Sequence, residues 1–383
     1  MKFGSREWKN YYAPVFVSVL ICIVLFLIPT GYEGALIYRG TDRCTAKVIS
    51  VNDDRIIDTG LIRSGEQLCE LELLGGKFKG KVVEGINTLN GSLENDKIFE
   101  PSDKALVVID YNGDEVLFVN MIDHYRINKE IVLAVAFVLF LVLFAKDTGV
   151  RAVLSFLITV LSIWKVLVPL YLKGVNPIFA GLLLTIFLTA LIISLVYGFH
   201  KKFVVATLGA VMGVLVTCIL GIIFTDQFKI HGAIMTNSES LLYAGYQHLS
   251  LTKIFMASIF IGSSGAIMDL AVDITSAVNE VVQNCPDISK KEAIKSGMNV
   301  GRAAMGTMTT TLLLAYSGGY IALLMVFMAQ GTPIYNILNY KYVSSEILDT
   351  IVGSFGLVLV APFTAIAAGI LLTKKTEAKS DSI

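Results

Sequence analysis

Long apolar runs recur along this chain, at residues 14–29, 131–146, 151–172, 177–198, 203–225, 252–278, 303–328 and 349–373. About 20 apolar residues in a helix span the ~30 Å hydrocarbon core of a bilayer, where every backbone N–H and C=O has to be paired internally. The runs therefore predict a polytopic α-helical membrane protein with about eight transmembrane helices. The run at 131–146 is short and needs its flanks, or less tilt, to cross. Composition agrees: of 383 residues, 55% are hydrophobic and only 16% charged, with a mean hydropathy of +0.70. Formal net charge is zero, so nothing points to a nucleic-acid partner, and the bilayer itself is the expected partner.

Basic residues fix an expected orientation. Lys2, Arg6 and Lys9, then Lys146 and Arg151, Lys201 and Lys202, Lys290, Lys291, Lys295 and Arg302, and finally Lys374, Lys375 and Lys379 all fall on one side of an eight-span path. The short loops opposite carry only Lys173, Lys229 and Lys341. By the positive-inside rule both termini are cytoplasmic. The segment after the first run, "TGYEGALIYRG", has no A-x-A-like cleavage site, so residues 1–34 are expected to be a cytoplasmic tail and a retained anchor. The polytopic region is expected at 130–373, and a cytoplasmic tail at 374–383.

Residues 35–129 are of another kind. The runs "CTAKVISV", "QLCELELL", "GKVVEGI", "KALVVIDY" and "EVLFVNMI" alternate or are rich in β-formers, and Asn52-Asp53-Asp54, Gly75-Gly76, Asn90-Gly91 and Asn112-Gly113-Asp114 punctuate them. They predict a small extracytoplasmic β-barrel or sandwich (OB-like or a small sandwich) between the first and second spans, with a hairpin at "YNGDE". Of five cysteines, Cys44 and Cys69 fall in this domain and are open to a disulfide if it is extracellular. No CxxC or Cys/His cluster suggests a metal, and no cofactor motif appears: "LGGKFKGK" lacks the order of a phosphate-binding loop.

The residues costliest in a membrane are Asp269 and Asp273, in "GAIMDLAVDI". On a helix, Gly262, Gly265, Asp269, Asp273, Ser276 and Glu280 form one stripe. On the next span, Arg302, Gly306, Thr309, Leu313, Tyr316, Ser317 and Tyr320 line up with the same period, beside the hydroxyl-rich "GTMTTT". The expectation is that these two spans face each other, acids on one wall and hydroxyls on the other. Asp269, Asp273, Glu280, Arg302, Thr309, Thr310 and Ser317 are then the candidate ion-coupling residues. Gly262, Gly265 and Gly306, with Gly209 and Gly213 of another span, are candidate helix-packing residues. Between the two spans, "PDISKKEAIKSGMNVGR" reads as a short amphipathic cytoplasmic helix, capped by Asp287 or Ser289 and stopped at Gly297. Lys165 either pairs with an aspartate or snorkels to the outer interface.

"GSSGAIMDLAVDITSAVNEV", "SGMNVGRAAMGTMTTTLLLAYSGG" and "YGFHKKFVVATLGAVMGVL", together with the external "GGKFKGKVVEGINTLNGS", resemble blocks of the YibE/F family of bacterial membrane proteins over about residues 45–373. The resemblance implies a multispanning protein of the bacterial cytoplasmic membrane with an external β domain, and no particular substrate. Ala303 stands where the family pattern has an acid after Gly-Arg. A shorter stretch, from "GAIMDLAVDI" through "GRAAMGTMTTT", is similar in rhythm to the proton-coupled core of resistance-nodulation-division exporters. That likeness would make Asp269 the proton carrier and implies a homodimer or a partner subunit.

The functional expectation is proton- or cation-coupled export of an unknown substrate through the aspartate pair. The alternative is a non-transporting envelope scaffold or sensor whose β domain binds a ligand or partner. No GxSxG, HExxH or Ser/His pairing is present, and His124, His200, His231 and His248 lie outside the runs or at their ends, so no enzyme is expected.

Overall fold

In the computed structural model the described residues are 5–33 and 40–373; the expected tail at 374–383 lies outside them. The chain forms two compact units, Tyr32–Phe144 and Met1–Gly31 with Ala145–Ile383.

The first unit holds six strands: β1 (Thr41–Asn52), β2 (Ile56–Asp58), β3 (Arg63–Leu73), β4 (Val82–Asn90), β5 (Lys104–Asn112) and β6 (Glu115–His124). β1 pairs with β5 through Thr41–Lys47 and with β3 through Ala46–Asn52, shifting register between Val48 and Ser50. One strand thus serves two neighbours, and the sheet closes in the ring β1-β3-β4-β6-β5. Only the β4–β6 pair is parallel, the arrangement of a five-stranded Greek-key barrel of the OB type. The five strands expected from the sequence are β1, β3, β4, β5 and β6. β2 is an added edge, three residues long and too short to leave a periodic signal.

Strand alternation fills the barrel. Cys44, Ala46 and Val48 of β1, Cys69, Leu71 and Leu73 of β3, and Ala105, Val107 and Ile109 of β5 all point inward. One polar cluster is buried with them. The Gln67 amide nitrogen donates to the Phe99 carbonyl at 3.0 Å, and its oxygen accepts from Phe99 N at 2.9 Å and Asn87 Nδ2 at 3.1 Å. These bonds tie the 91–103 connection onto the barrel floor. Cys44 and Cys69 are both free, which corrects the disulfide expectation. Cys69 sits opposite Val51, seven residues along β1 from Cys44, or roughly 23 Å at strand rise; a disulfide needs Cα atoms within ~7 Å.

The helices are α1 (Ser5–Leu27), α2 (Ile127–Ser162), α3 (Val168–Leu172), α4 (Pro177–Tyr197), α5 (Lys201–Gln227), α6 (Ser238–Tyr243), α7 (Leu251–Asn284), α8 (Lys290–Ser317), α9 (Ile321–Ala329), α10 (Ile334–Asn339) and α11 (Lys341–Leu371). α2 passes into α3 through a π-helical turn at Ile163–Leu167. Seven helical segments among the described residues are long and apolar enough to cross a membrane. The expected spans at 131–146 and 151–172 lie on one of them, Ile127–Leu172, whose backbone breaks only at Lys146 (φ 49°, ψ −123°).

α11 is the hub of the second unit, with α5, α7 and α8 packed on it. Small residues let the backbones close. A Cβ added at Gly209 would strike Thr364, one at Gly213 would come within 3.1 Å of Val360, and one at Gly301 within 2.7 Å of Ala361. α7 contributes Ile267, Leu270, Ala271, Ile274 and Val278, all fully buried. Ser289 caps α8 in a capping box with Glu292, as its position before an amphipathic run suggests. Gly297 does not stop that helix. It lies against Val278 and Ala365, so its missing side chain is used for close approach rather than for a turn.

Two cations are held by backbone oxygens. The Arg151 guanidinium is buried, stacked 3.7 Å over the Tyr11 ring, and donates to the Leu195 carbonyl at 2.9 Å. Lys165, in the π turn, donates to the Ile28 carbonyl at 3.1 Å instead of pairing with an aspartate.

Candidate functional site

α7 begins at Ser250, whose hydroxyl accepts the Lys253 N–H, and runs unbroken for 34 residues. Its apolar face is consumed by α5, α8 and α11, so the opposite stripe turns outward: Gly262, Gly265, Asp269, Asp273, Ser276 and Glu280 are all exposed. At the α4 end of this stripe the Tyr197 hydroxyl donates to the Val272 carbonyl at 2.6 Å and lies 2.6 Å from Ser276 Oγ. The Tyr316 hydroxyl of α8 overhangs Gly262, 2.7 Å from where a Cβ would stand. Nothing lies within 4 Å of a Cβ at Gly265.

The expected opposition of acids and hydroxyls is not formed. α7 meets α8 through apolar side chains on glycine, Ile274 against Gly301 and Val278 against Gly297. The α8 hydroxyls return to their own backbone: Thr309 donates to the Met305 carbonyl at 2.8 Å, Thr310 to Gly306 at 3.2 Å and Thr311 to Thr307 at 3.0 Å. Such i−4 bonds satisfy a hydroxyl inside a helix, and so leave it no reason to seek a carboxylate. Arg302 and Gly306 are exposed, and Gly306 has open space around it. Gly209 and Gly213 lie away from the stripe, on the α5–α11 crossing.

A second acidic pair was not anticipated. Glu346 and Asp349, one turn apart at the start of α11, turn toward α8. Glu346 Oε1 and Asp349 Oδ1 are sealed from solvent with no hydrogen-bond partner among the described residues. Tyr316 and Tyr320 stand in their field, and Ser317 lines a groove with Leu313, Tyr320, Leu324, Glu346 and Thr350. The signal was present in "YVSSEILDT", but the acids sit at the edge of the apolar run and read as loop.

Asp269 and Asp273 on α7 and Glu346 and Asp349 on α11, all in helices of membrane-spanning length, thus have no side-chain hydrogen bond or ion pair among the described residues. Such groups can take up a proton or a small cation. No group of three or more His, Cys, Asp or Glu among the described residues is placed to hold a metal ion.

A family model described as YibE/F-like protein matches residues 133–374, which takes in most of α2 and all of α3 through α11 and leaves the barrel strands outside. No curated protein and no solved structure matches the chain. The likeness to resistance-nodulation-division exporters has no support in these matches.

Proposed function

The chain belongs to the YibE/F-like family, and from that premise we propose that it is an integral membrane transporter coupled to protons or a small cation. The observation that carries the reading is the four unpartnered carboxylates, Asp269 and Asp273 on α7 and Glu346 and Asp349 on α11. A charged side chain at mid-bilayer costs ~2.5–3.5 kcal/mol on insertion scales, against a folding stability of only ~5–15 kcal/mol. A bound proton or cation removes that cost, and its release restores it. Loading and unloading then bias the packing of α7 and α11 against α8, which is how an ion drives a helix rearrangement.

The path belongs to the same proposal. The 46 residues of Ile127–Leu172 would extend about 69 Å as one helix, more than twice the hydrocarbon thickness. We read them as two crossings that meet at Lys146, giving eight crossings, both termini in the cytoplasm of a bacterial cell and the barrel outside.

The test is cation-driven proton movement in liposomes holding a trapped pH-sensitive dye, under imposed Na⁺, K⁺ or Mg²⁺ gradients. The wild type moves protons under at least one gradient. Asp269→Asn and Asp349→Asn each lower the rate at least tenfold while the protein still elutes as a single species. A silent wild type, or variants with undiminished rates, overturns the reading.

A further inference from the structure

Most of the exposed surface of the helical unit is what a lipid-facing surface should be. α1, for instance, shows Phe16, Leu20, Ile23, Phe26 and Leu27. One region is different. The α7 stripe exposes two glycines and three carboxylates, and the neighbouring α8 exposes Arg302, Gly306, Thr307, Thr310 and Thr311. Small and polar residues of this kind mark surfaces that meet protein, because lipid tails offer neither close packing to a glycine nor a partner to a charge. No ion pair or hydrogen bond among the described residues involves Asp269, Asp273, Glu280 or the Arg302 side chain. The apolar span within α2 offers no help, since residues 131–145 contain no polar side chain.

The antiparallel packing of α7 on α8 sets the depth of each group. Ile274 lies against Gly301 and Val278 against Gly297. Stepping along the two helices from these contacts places Asp273 level with Arg302, Glu280 level with Lys295, Asp269 level with Gly306, and Gly265 level with Thr310. Two of the three acids, Asp273 and Glu280, are matched in depth to bases, yet within one chain they remain apart. A two-fold axis along the membrane normal preserves depth. It sets the α7 stripe of one copy against the α8 face of another, with Asp273 and Glu280 each at the level of a base, Gly265 at the level of a threonine and Asp269 at the level of Gly306.

We infer that this face is the interface of a homodimer, in which Asp273 of each copy pairs with Arg302 of the other. The symmetry is self-complementary: one pairing, used twice, covers both exposed faces. Asp269 then lies between the copies among Gly306 and the threonines, without an arginine. In that respect the inference deepens the transport reading and rests on it: the exchangeable carboxylate would sit at the subunit boundary.

Mass photometry of the protein in lipid nanodiscs tests the pairing. The wild type is expected as a dimer. Asp273→Arg and Arg302→Asp should each weaken self-association at least tenfold, because like charges then meet twice. Mixing the two variants under different tags should restore wild-type association as heterodimers, since each symmetric contact again joins an arginine to an aspartate. A second measurement guards against unfolded variants. In a chain carrying Cys285→Ser, Gly265→Cys on one tagged copy and Thr310→Cys on the other should crosslink under mild oxidation. A monomeric wild type, a mixture no better than its components, or no inter-copy crosslink overturns the dimer. Cation-driven proton movement by a monomer would leave transport standing and sink only the interface; a dimer without such movement does the reverse.

Discussion

Asp96 shows how much local structure one half-buried carboxylate can hold in place. The Asn90 N–H reaches its two oxygens at 2.9 and 3.0 Å, and the Ser92 N–H reaches Oδ2 at 2.8 Å. These backbone bonds, Asn90 foremost, favour the charged form and hold the carboxyl below the usual aspartate range. The sign of the pH effect follows. A group whose folded pKa is depressed stabilises the fold fully above its unfolded value of ~3.9, and the contribution is lost as pH falls through the folded value. Hydrogen-exchange protection of β4, corrected for intrinsic rates, is therefore expected to fall between pH 5 and pH 3. Asp96→Asn should lower protection at pH 7 and flatten that fall. Wild-type protection that stays level to pH 3 would refute the assignment. Residue-scale legibility was uneven for a physical reason. Asp269 and Asp273 stand out because they interrupt an apolar run, whereas Glu346 and Asp349 follow two serines at a run's edge and look like a polar loop. The threonines of α8 misled because hydroxyls read as free donors in sequence but are satisfied within their own helix.

Among the elements, the crossing of α5 and α11 depends on absent side chains. A Cβ at Gly356 would strike the Thr217 hydroxyl and come within 2.9 Å of Ile267, while the Gly213 carbonyl lies 3.1 Å from the same point. Thr217 cannot move freely, because its hydroxyl donates to the Gly213 carbonyl at 3.1 Å. Overpacking a site walled by backbone costs about 1–3 kcal/mol. Gly356→Val should lower the thermal midpoint of the detergent-solubilised protein by several degrees, whereas Gly318→Ala, with nothing within 4 Å, should leave it unchanged. Equal melting of the two variants would remove close packing as the explanation. Periodicity made the long helices and the five barrel strands readable, because an apolar run and a period of two are signals summed over many residues. Gly297 was not readable in this way. A glycine that ends a helix and one that admits a neighbour look alike until Val278 and Ala365 are seen against it.

For the molecule as a whole, the barrel and the helical unit have separate cores, and the family match begins at residue 133, after the last barrel strand. The ring of strands closes on itself, so it leaves few unpaired edges needing cover from elsewhere. Its interior is filled by its own residues, from Cys44 to Met121. A fragment spanning residues 40–125 is therefore expected to fold alone, with the stability of a few kcal/mol usual for a domain of this size. Two core thiols report on it without any label being engineered. Burial raises the Cys44 thiol and pushes Cys69 up to about 11, so neither presents a thiolate at neutral pH while the barrel is closed. They lie far apart along β1 and its partner β3, so no local opening exposes both. With excess maleimide, the two should label in step, each molecule carrying both adducts or neither, because only whole-barrel unfolding uncovers them. Singly labelled fragment at early times, or immediate reaction of both thiols, would mean that the barrel does not hold its core without the rest of the chain.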